Sequence, residues 1–296
     1  MKNTPFIAVT SQPVPYHADT TAIFNTLCQQ NSNSLLLDSA EIGSKNSLQS
    51  LILINAAVKI TCLGNQVTFR ALNANGKQVL NEIHPVLSQL GTVSAVNFEN
   101  EFSVQFAPLD NQLDEDSKLQ AATIFDGLRV ISNHYQHSST PVFLGGLFAY
   151  DLVANFIPMQ GVELKDDGIN CPDYSFYLAE NLITIDHQSQ QATLKSFCFS
   201  QEEQVEVAKT ALSIAQKLRN IDGVLSIKAA SDELSTNFED PEFIGIVKAL
   251  KHHINIGDVF QIVPSRRFSL ACPNTLASYA QLKLNNPSPY MFYMND

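Results

Sequence analysis

Hydrophobic and polar positions follow two rhythms along this chain, and the two-residue rhythm of strands dominates the first two thirds. Ser34-Leu35-Leu36-Leu37-Asp38-Ser39-Ala40 reads as a short apolar strand running into a polar turn. Leu51 to Leu63 is apolar and rich in Ile and Val, Gly64-Asn65 breaks it, and Val67-Thr68-Phe69 alternates afterwards. That sequence of signals predicts a hairpin. Val93 to Phe106 alternates like one strand, and Val142 to Tyr150 reads as a buried strand carrying Gly145-Gly146. Tyr174 to Asp186 and Ala192 to Phe199 predict a second hairpin around His187-Gln188-Ser189-Gln190.

The helical rhythm is found in fewer places. Lys77 to Leu90 predicts a short helix interrupted at Pro85. Asp114 to Gln136 predicts one long helix with Ala122, Phe125, Leu128 and Ser132 on a stripe and acidic residues in its first turn. Ser200, with Glu203 three residues later, has the form of a capping box, and Val205, Ala208, Leu212 and Ala215 make the stripe that follows. Asn220 to Asn237 is weakly patterned and predicts a linker. Asp240-Pro241 then opens a helix whose face is Phe243, Val247, Leu250 and Ile254, with Gly257 as its stop. Val259 to Leu270 predicts a strand, and Leu276 to Leu284 a helix. A Pro287-Ser288-Pro289 turn opens the last strand, Tyr290 to Met294. Core-grade strand so close to a terminus predicts a domain that continues. The pattern as a whole predicts an α+β fold without the regular βαβ alternation of a doubly wound sheet.

Composition narrows the function classes. At 296 residues, 45% hydrophobic and 16% charged, the chain suits about two domains with a large core. Acidic residues outnumber basic ones, 29 to 18, for a net charge of -11. This argues against binding nucleic acid, which needs clustered Lys and Arg, but leaves room for an anionic small molecule in a locally basic pocket. Five cysteines, none in a C-x-x-C spacing, predict neither a zinc site nor a disulfide framework and fit a reducing cytoplasm. Neither a signal peptide nor a membrane span is read from the sequence.

Few motifs carry chemistry by themselves. Gly145-Gly146 lacks the spacing of a phosphate cradle and fits close packing in a sheet. His252-His253 point about 100° apart on a helix, so they suit a surface better than a shared metal. Ser265-Arg266-Arg267-Phe268, on a strand, puts its two arginines on opposite faces, one in water and one in an ion pair. The pairing of two segments is more suggestive. Asp38 and Ser39 offer an anion and a hydroxyl suited to an α-amino group. Pro289, Tyr290, Met291 and Phe292 offer an apolar, polarisable surface suited to an aromatic guest.

These segments resemble anthranilate synthase component I, of the chorismate-utilising enzymes. The resemblance rests on Ser34 to Ala40 with Lys45 to Ala56, on Cys171-Pro-Asp-Tyr-Ser-Phe-Tyr-Leu-Ala-Glu180, on Gly257-Asp-Val-Phe-Gln-Ile-Val-Pro-Ser-Arg-Arg-Phe268 and on Asn286-Pro-Ser-Pro-Tyr-Met-Phe292. Aminodeoxychorismate synthase component I shares the architecture, but the Val-Pro-Ser-Arg-Arg-Phe and Asn-Pro-Ser-Pro-Tyr-Met wording fits the anthranilate enzyme better. The resemblance implies a regulatory domain, 1–236, packed on the beginning of a chorismate-binding catalytic domain, 237–296. It implies an enzyme making anthranilate and pyruvate from chorismate and ammonia, with a glutamine amidotransferase subunit as partner and L-tryptophan as feedback inhibitor. Ser39, Pro289, Tyr290 and Met291 match the inhibitor contacts; Asp38 stands where many relatives have Glu. Catalytic residues and the ligands of Mg²⁺ are expected beyond residue 296, so this chain alone is expected to be inactive. A binding fragment without catalysis is the alternative.

Overall fold

The computed structural model describes residues 5–28, 31–39, 48–97, 100–108, 113–136, 140–157, 171–221 and 233–296. Two long strands form the spine of a ten-stranded antiparallel sheet. They are β3 (Gln49–Leu63) and β8 (Tyr174–Asp186), paired along their whole length. Each spine strand has different outer neighbours at its two ends. The first half of β3 pairs with β2 (Ser34–Asp38), and the second half with β4 (Gln66–Ala71). The first half of β8 pairs with β7 (Leu144–Phe148), and the second half with β9 (Gln191–Cys198), which takes β1 (Ala8–Val14) at its far edge. Register shifts in β3 between Leu53 and Val58 mark where the sheet changes neighbours, as bulges do when a strand bends. The expected strand Val93 to Phe106 is a hairpin of β5 (Thr92–Asn97) and β6 (Glu101–Gln105), and β6 pairs with β4.

Helices cover this sheet where apolar faces coincide. Helix α1 (Thr20–Cys28) buries Ile23, Phe24 and Leu27, and the periodicity reading missed both it and β1. Helix α2 (Ala74–Leu87) starts at an Asn73 cap and continues through Pro85 in its last turn. It buries Val79, Leu80, Ile83 and Leu87. The long helix expected over 114–136 is two, α3 (Glu115–Gln120) and α4 (Asp126–His134). Between them the Thr123 amide donates to Asp126 Oδ2 at 2.7 Å, and the Ile124 carbonyl accepts the Tyr174 hydroxyl at 2.7 Å. Burial of Ile124 against the sheet takes precedence over local helical continuity.

Helix α5 (Gln204–Lys217) exists, but its stripe is Val207, Ala211 and Ile214; Val205 and Leu212 point to solvent. Glu203 makes no side-chain cap bond there. Gly145 and Gly146 are packing glycines, as expected. A Cβ on Gly146 would lie 2.1 Å from the Ser175 carbonyl oxygen.

Contacts divide the chain into two compact units, 1–224 with 285–296, and 225–284. In the smaller one, α6 (Asp240–Asn255) ends before Gly257, whose φ is +85°. The strand expected over Val259 to Leu270 is only β11 (Phe268–Ser269), paired with β10 (Ser235–Thr236). Pro264 lacks a donor for a ladder, and residues 259–267 pair with no strand among the described residues. Arg266 does not sit on a strand; its Nη1 donates to Asp240 Oδ1 at 2.6 Å and its guanidinium lies 4.8 Å from the Phe268 ring centre. The His252 and His253 side chains are exposed, and His253 Nδ1 meets Asp258 at 2.7 Å. Helix α7 (Thr275–Asn285) follows. The final strand, β12 (Met291–Asn295), belongs to the ten-stranded sheet. Of the expected linker 220–237, residues 222–232 lie outside the described residues, as does Ala40.

Candidate binding cavity between β2 and β12

Strand β12 is hydrogen-bonded to β2, with Met291 opposite Asp38 and Phe292 opposite Leu37. Ser39 and Pro289-Tyr290-Met291, distant in sequence, therefore meet at one end of this ladder. Their meeting leaves a cavity of about 430 Å³ lined by Leu37, Asp38, Ser39, Gln49, Leu51, Pro289, Tyr290, Met291 and Phe292. Its size lies in the roughly 300–1,000 Å³ range of small-molecule sites.

Register assigns each wall. Leu37 faces Phe292 on one side and Leu51 on the other, so the three share one face of the strands. Alternation puts Ser39 and Tyr290 on that same face. Tyr290 is 81% exposed and Phe292 57%, an unusual cost for aromatic rings at the edge of a cavity. An apolar wall and a half-buried hydroxyl thus converge with the Gln49 amide at the rim.

Asp38 and Met291 border the cavity but share the opposite face, towards α1. Both are buried, at 4% and 8% exposure. Thr20 Oγ1, at the start of α1, donates to Asp38 Oδ2 at 2.8 Å, and Ser50 Oγ donates to Oδ1 at 2.5 Å. Ser50 has one proton, so its oxygen accepts from His187 Nε2 at 2.9 Å. His187 Nδ1 then meets the Tyr16 hydroxyl at 3.2 Å. The Phe24 and Tyr293 rings pack edge to face beside this network, centres 5.3 Å apart. Asp38 is thus a brace that ties β2 to α1, β3 and the β8–β9 turn. Of the residues that line the cavity, sequence reading named Asp38, Ser39, Pro289, Tyr290, Met291 and Phe292. It assigned no role to Leu37, Gln49 and Leu51 as walls or to Ser50, Thr20 and His187 as supports. The register of β2 against β3 would have found the β3 residues, because Leu51 pairs with Leu37 and Gln49 and Ser50 lie just before it on the same strand.

Among the described residues no cluster of three or more His, Cys, Asp or Glu could hold a metal ion, and no helix is long and apolar enough to cross a membrane. All five cysteines are free, and burial pushes the Cys28 and Cys62 thiols up to about 12.

The sequence model of the chorismate binding enzyme family matches residues 80–296. The chain belongs to this family. Over 291 residues it is 87% identical to anthranilate synthase component 1 of Haemophilus influenzae, covering 98% of this chain and 56% of that protein. It is 43% identical to anthranilate synthase component 1 of Vibrio cholerae, over all of this chain and 57% of the relative. Among solved structures, anthranilate synthase component I from Streptococcus pneumoniae superposes with a TM-score of 0.50 at 18% identity, over 84% of this chain and 48% of that one. The menaquinone-specific isochorismate synthase MenF of Escherichia coli superposes with a TM-score of 0.52 at 14% identity, over 99% and 48%. These two likenesses carry the fold, a strand-rich sheet with helices. The chain spans about 56% of the length of the curated relatives it matches.

Proposed function

We propose that this chain is the tryptophan-sensing regulatory domain, 1–236, and the opening of the chorismate-using domain, 237–296, of an anthranilate synthase component I. The complete enzyme converts chorismate and ammonia to anthranilate and pyruvate in the cytoplasm, as a step of tryptophan biosynthesis. A glutamine amidotransferase subunit supplies the ammonia. The names of the relatives support the activity, and one observation carries the regulatory reading: the cavity where Ser39 meets Pro289-Tyr290-Met291.

In this reading the indole of L-tryptophan lies against Leu37, Pro289, Tyr290 and Phe292. The Ser39 hydroxyl and the Gln49 amide take polar atoms of the amino acid. Asp38 and Met291 form the layer beneath, and the Asp38 brace fixes the strand that presents Ser39. Tryptophan inhibits because it favours one conformational state over another. All of its pocket's lining lies in the larger compact unit, where β12 pairs with β2, so a state in which β12 shifts against β2 alters its contacts directly. Mg²⁺ serves the complete enzyme by holding the substrate carboxylate. The described residues do not fit that ion, and no step of this reading runs through it.

The test is an inhibition curve on the full-length enzyme carrying Ser39→Phe. A clash and a lost hydrogen bond should cost about 1–3 kcal/mol of inhibitor binding, which raises the half-inhibition concentration roughly ten- to hundredfold. An unchanged curve from a folded variant would mean that the pocket is wrong.

A further inference from the structure

A second cavity, of about 350 Å³, shares no lining residue with the first. It opens where β3 bulges at Asn55, and Asn31, Ser32, Asn55, Asn73, Glu180 and Thr210 line it. Glu180 is only 7% exposed. Its Oε2 accepts from Asn73 Nδ2 at 2.9 Å and from Asn75 Nδ2 at 2.8 Å. Neither amide can be reversed without loss. Asn73 Oδ1 accepts the Gly76 amide at 2.8 Å, and Asn75 Oδ1 accepts the Phe199 amide at 2.6 Å. The Asn75 nitrogen also donates to the Phe197 carbonyl at 2.9 Å. The fold therefore aims two fixed donors at one carboxylate oxygen.

The other oxygen, Oε1, has no hydrogen-bond partner among the described residues. Among the described residues no Lys or Arg lines the cavity, and the neighbouring charge that acts on Glu180 is that of Glu203, also negative. Burial pushes the Glu180 carboxyl up, the expected result for a desolvated carboxylate without a counter-charge. Asn55 Oδ1 accepts from Asn31 Nδ2 at 3.2 Å, which leaves the Asn55 nitrogen and Asn31 Oδ1 for a guest. A divalent metal would have a single carboxylate here. A small cation with its own N–H donors matches the acceptors better.

We propose that this cavity binds a small hydroxylated primary amine, with its ammonium group donating to Glu180 Oε1 and Asn31 Oδ1, and its hydroxyl meeting the Asn55 nitrogen or Thr210. The proposal does not depend on tryptophan binding in the first cavity.

The experiment is a titration of the chain with ethanolamine, followed through the side-chain amide resonances of Asn55, Asn73 and Asn75. Saturable shifts are expected. Glu180→Gln should weaken binding about tenfold or more, because its carbonyl still accepts from both asparagines while the charge is lost. Choline, which has no N–H, and 1,2-ethanediol, which has no charge, should bind at least about tenfold more weakly than ethanolamine. Thr210→Phe, which fills the opening without touching the asparagine network, should abolish the shifts and serves if Glu180→Gln does not fold. No saturable shift, or equal binding by choline or by folded Glu180→Gln, would overturn the assignment.

Discussion

Helices α5 and α6 have similar lengths, 14 and 16 residues, and both have an apolar stripe, yet they end in different environments. Helix α5 buries Val207, Ala211 and Ile214 beside the large sheet. Helix α6 buries none of its residues. The contrast extends to the units that contain them. The first has a spine of two long strands and a core that includes Val58, Ile60, Phe69, Tyr177 and Leu178. In the second, Phe260 and Val263 are exposed and the sheet is two residues wide on each strand. Amphipathic periodicity thus predicts a helix without predicting what covers it. A two-stranded ribbon and uncovered helices are marginal by themselves, so the stability of this chain resides in the first unit.

Hydrogen exchange should separate the two units most widely. Amides of β3 and β8 should exchange near the global unfolding limit, and those of α6 by local opening, orders of magnitude faster. Equal protection would mean that the two units do not differ in stability. Core truncation gives the next largest contrast. Ile60→Ala, at a side chain fully excluded from solvent, should cost about 2–5 kcal/mol in urea unfolding. Ile254→Ala, at a side chain 41% exposed, should fall within roughly 0.5–1 kcal/mol.

The smallest effect is one of pH. The folded Glu180 carboxyl lies above its ordinary value of 4.5. Below that pH both folded and unfolded chains keep the proton, and burial costs no charge. As pH rises above 4.5 the unfolded chain releases the proton first, so stability falls until the folded group has titrated too. Glu180→Gln lacks this loss. The stability of the native chain relative to the variant should therefore decline with rising pH over that window, as read by thermal unfolding of the pair. A constant difference would mean that Glu180 does not feel its burial.

Much of this was legible in the sequence. The Tyr174 to Asp186 hairpin and the Gly64-Asn65 turn follow from alternation and turn chemistry, because local signals and tertiary burial agree there. The helix over 114–136 failed where they disagree, at Ile124, whose carbonyl is used by Tyr174. Phase failed in α5, because Val205 and Leu212 are as apolar as the buried Val207 and Ile214, and only the position of β9 selects between them. At the candidate site, the β2 and β12 segments were recognisable as a pair. Their supports Thr20, Ser50 and His187 were not, because each is an ordinary polar residue until the strands bring it to Asp38.

L-Tryptophan is the proposed guest of the cavity between β2 and β12. The chain contains no tryptophan of its own, so indole emission reports the ligand alone. Titrating the chain with L-tryptophan should give a saturable change in emission, as the indole leaves water for Leu37, Tyr290 and Phe292. Ser39→Phe, folded as judged by circular dichroism, should remove that change at the same concentrations. Emission that rises only in proportion to added tryptophan, or saturates identically with Ser39→Phe, would contradict the claim.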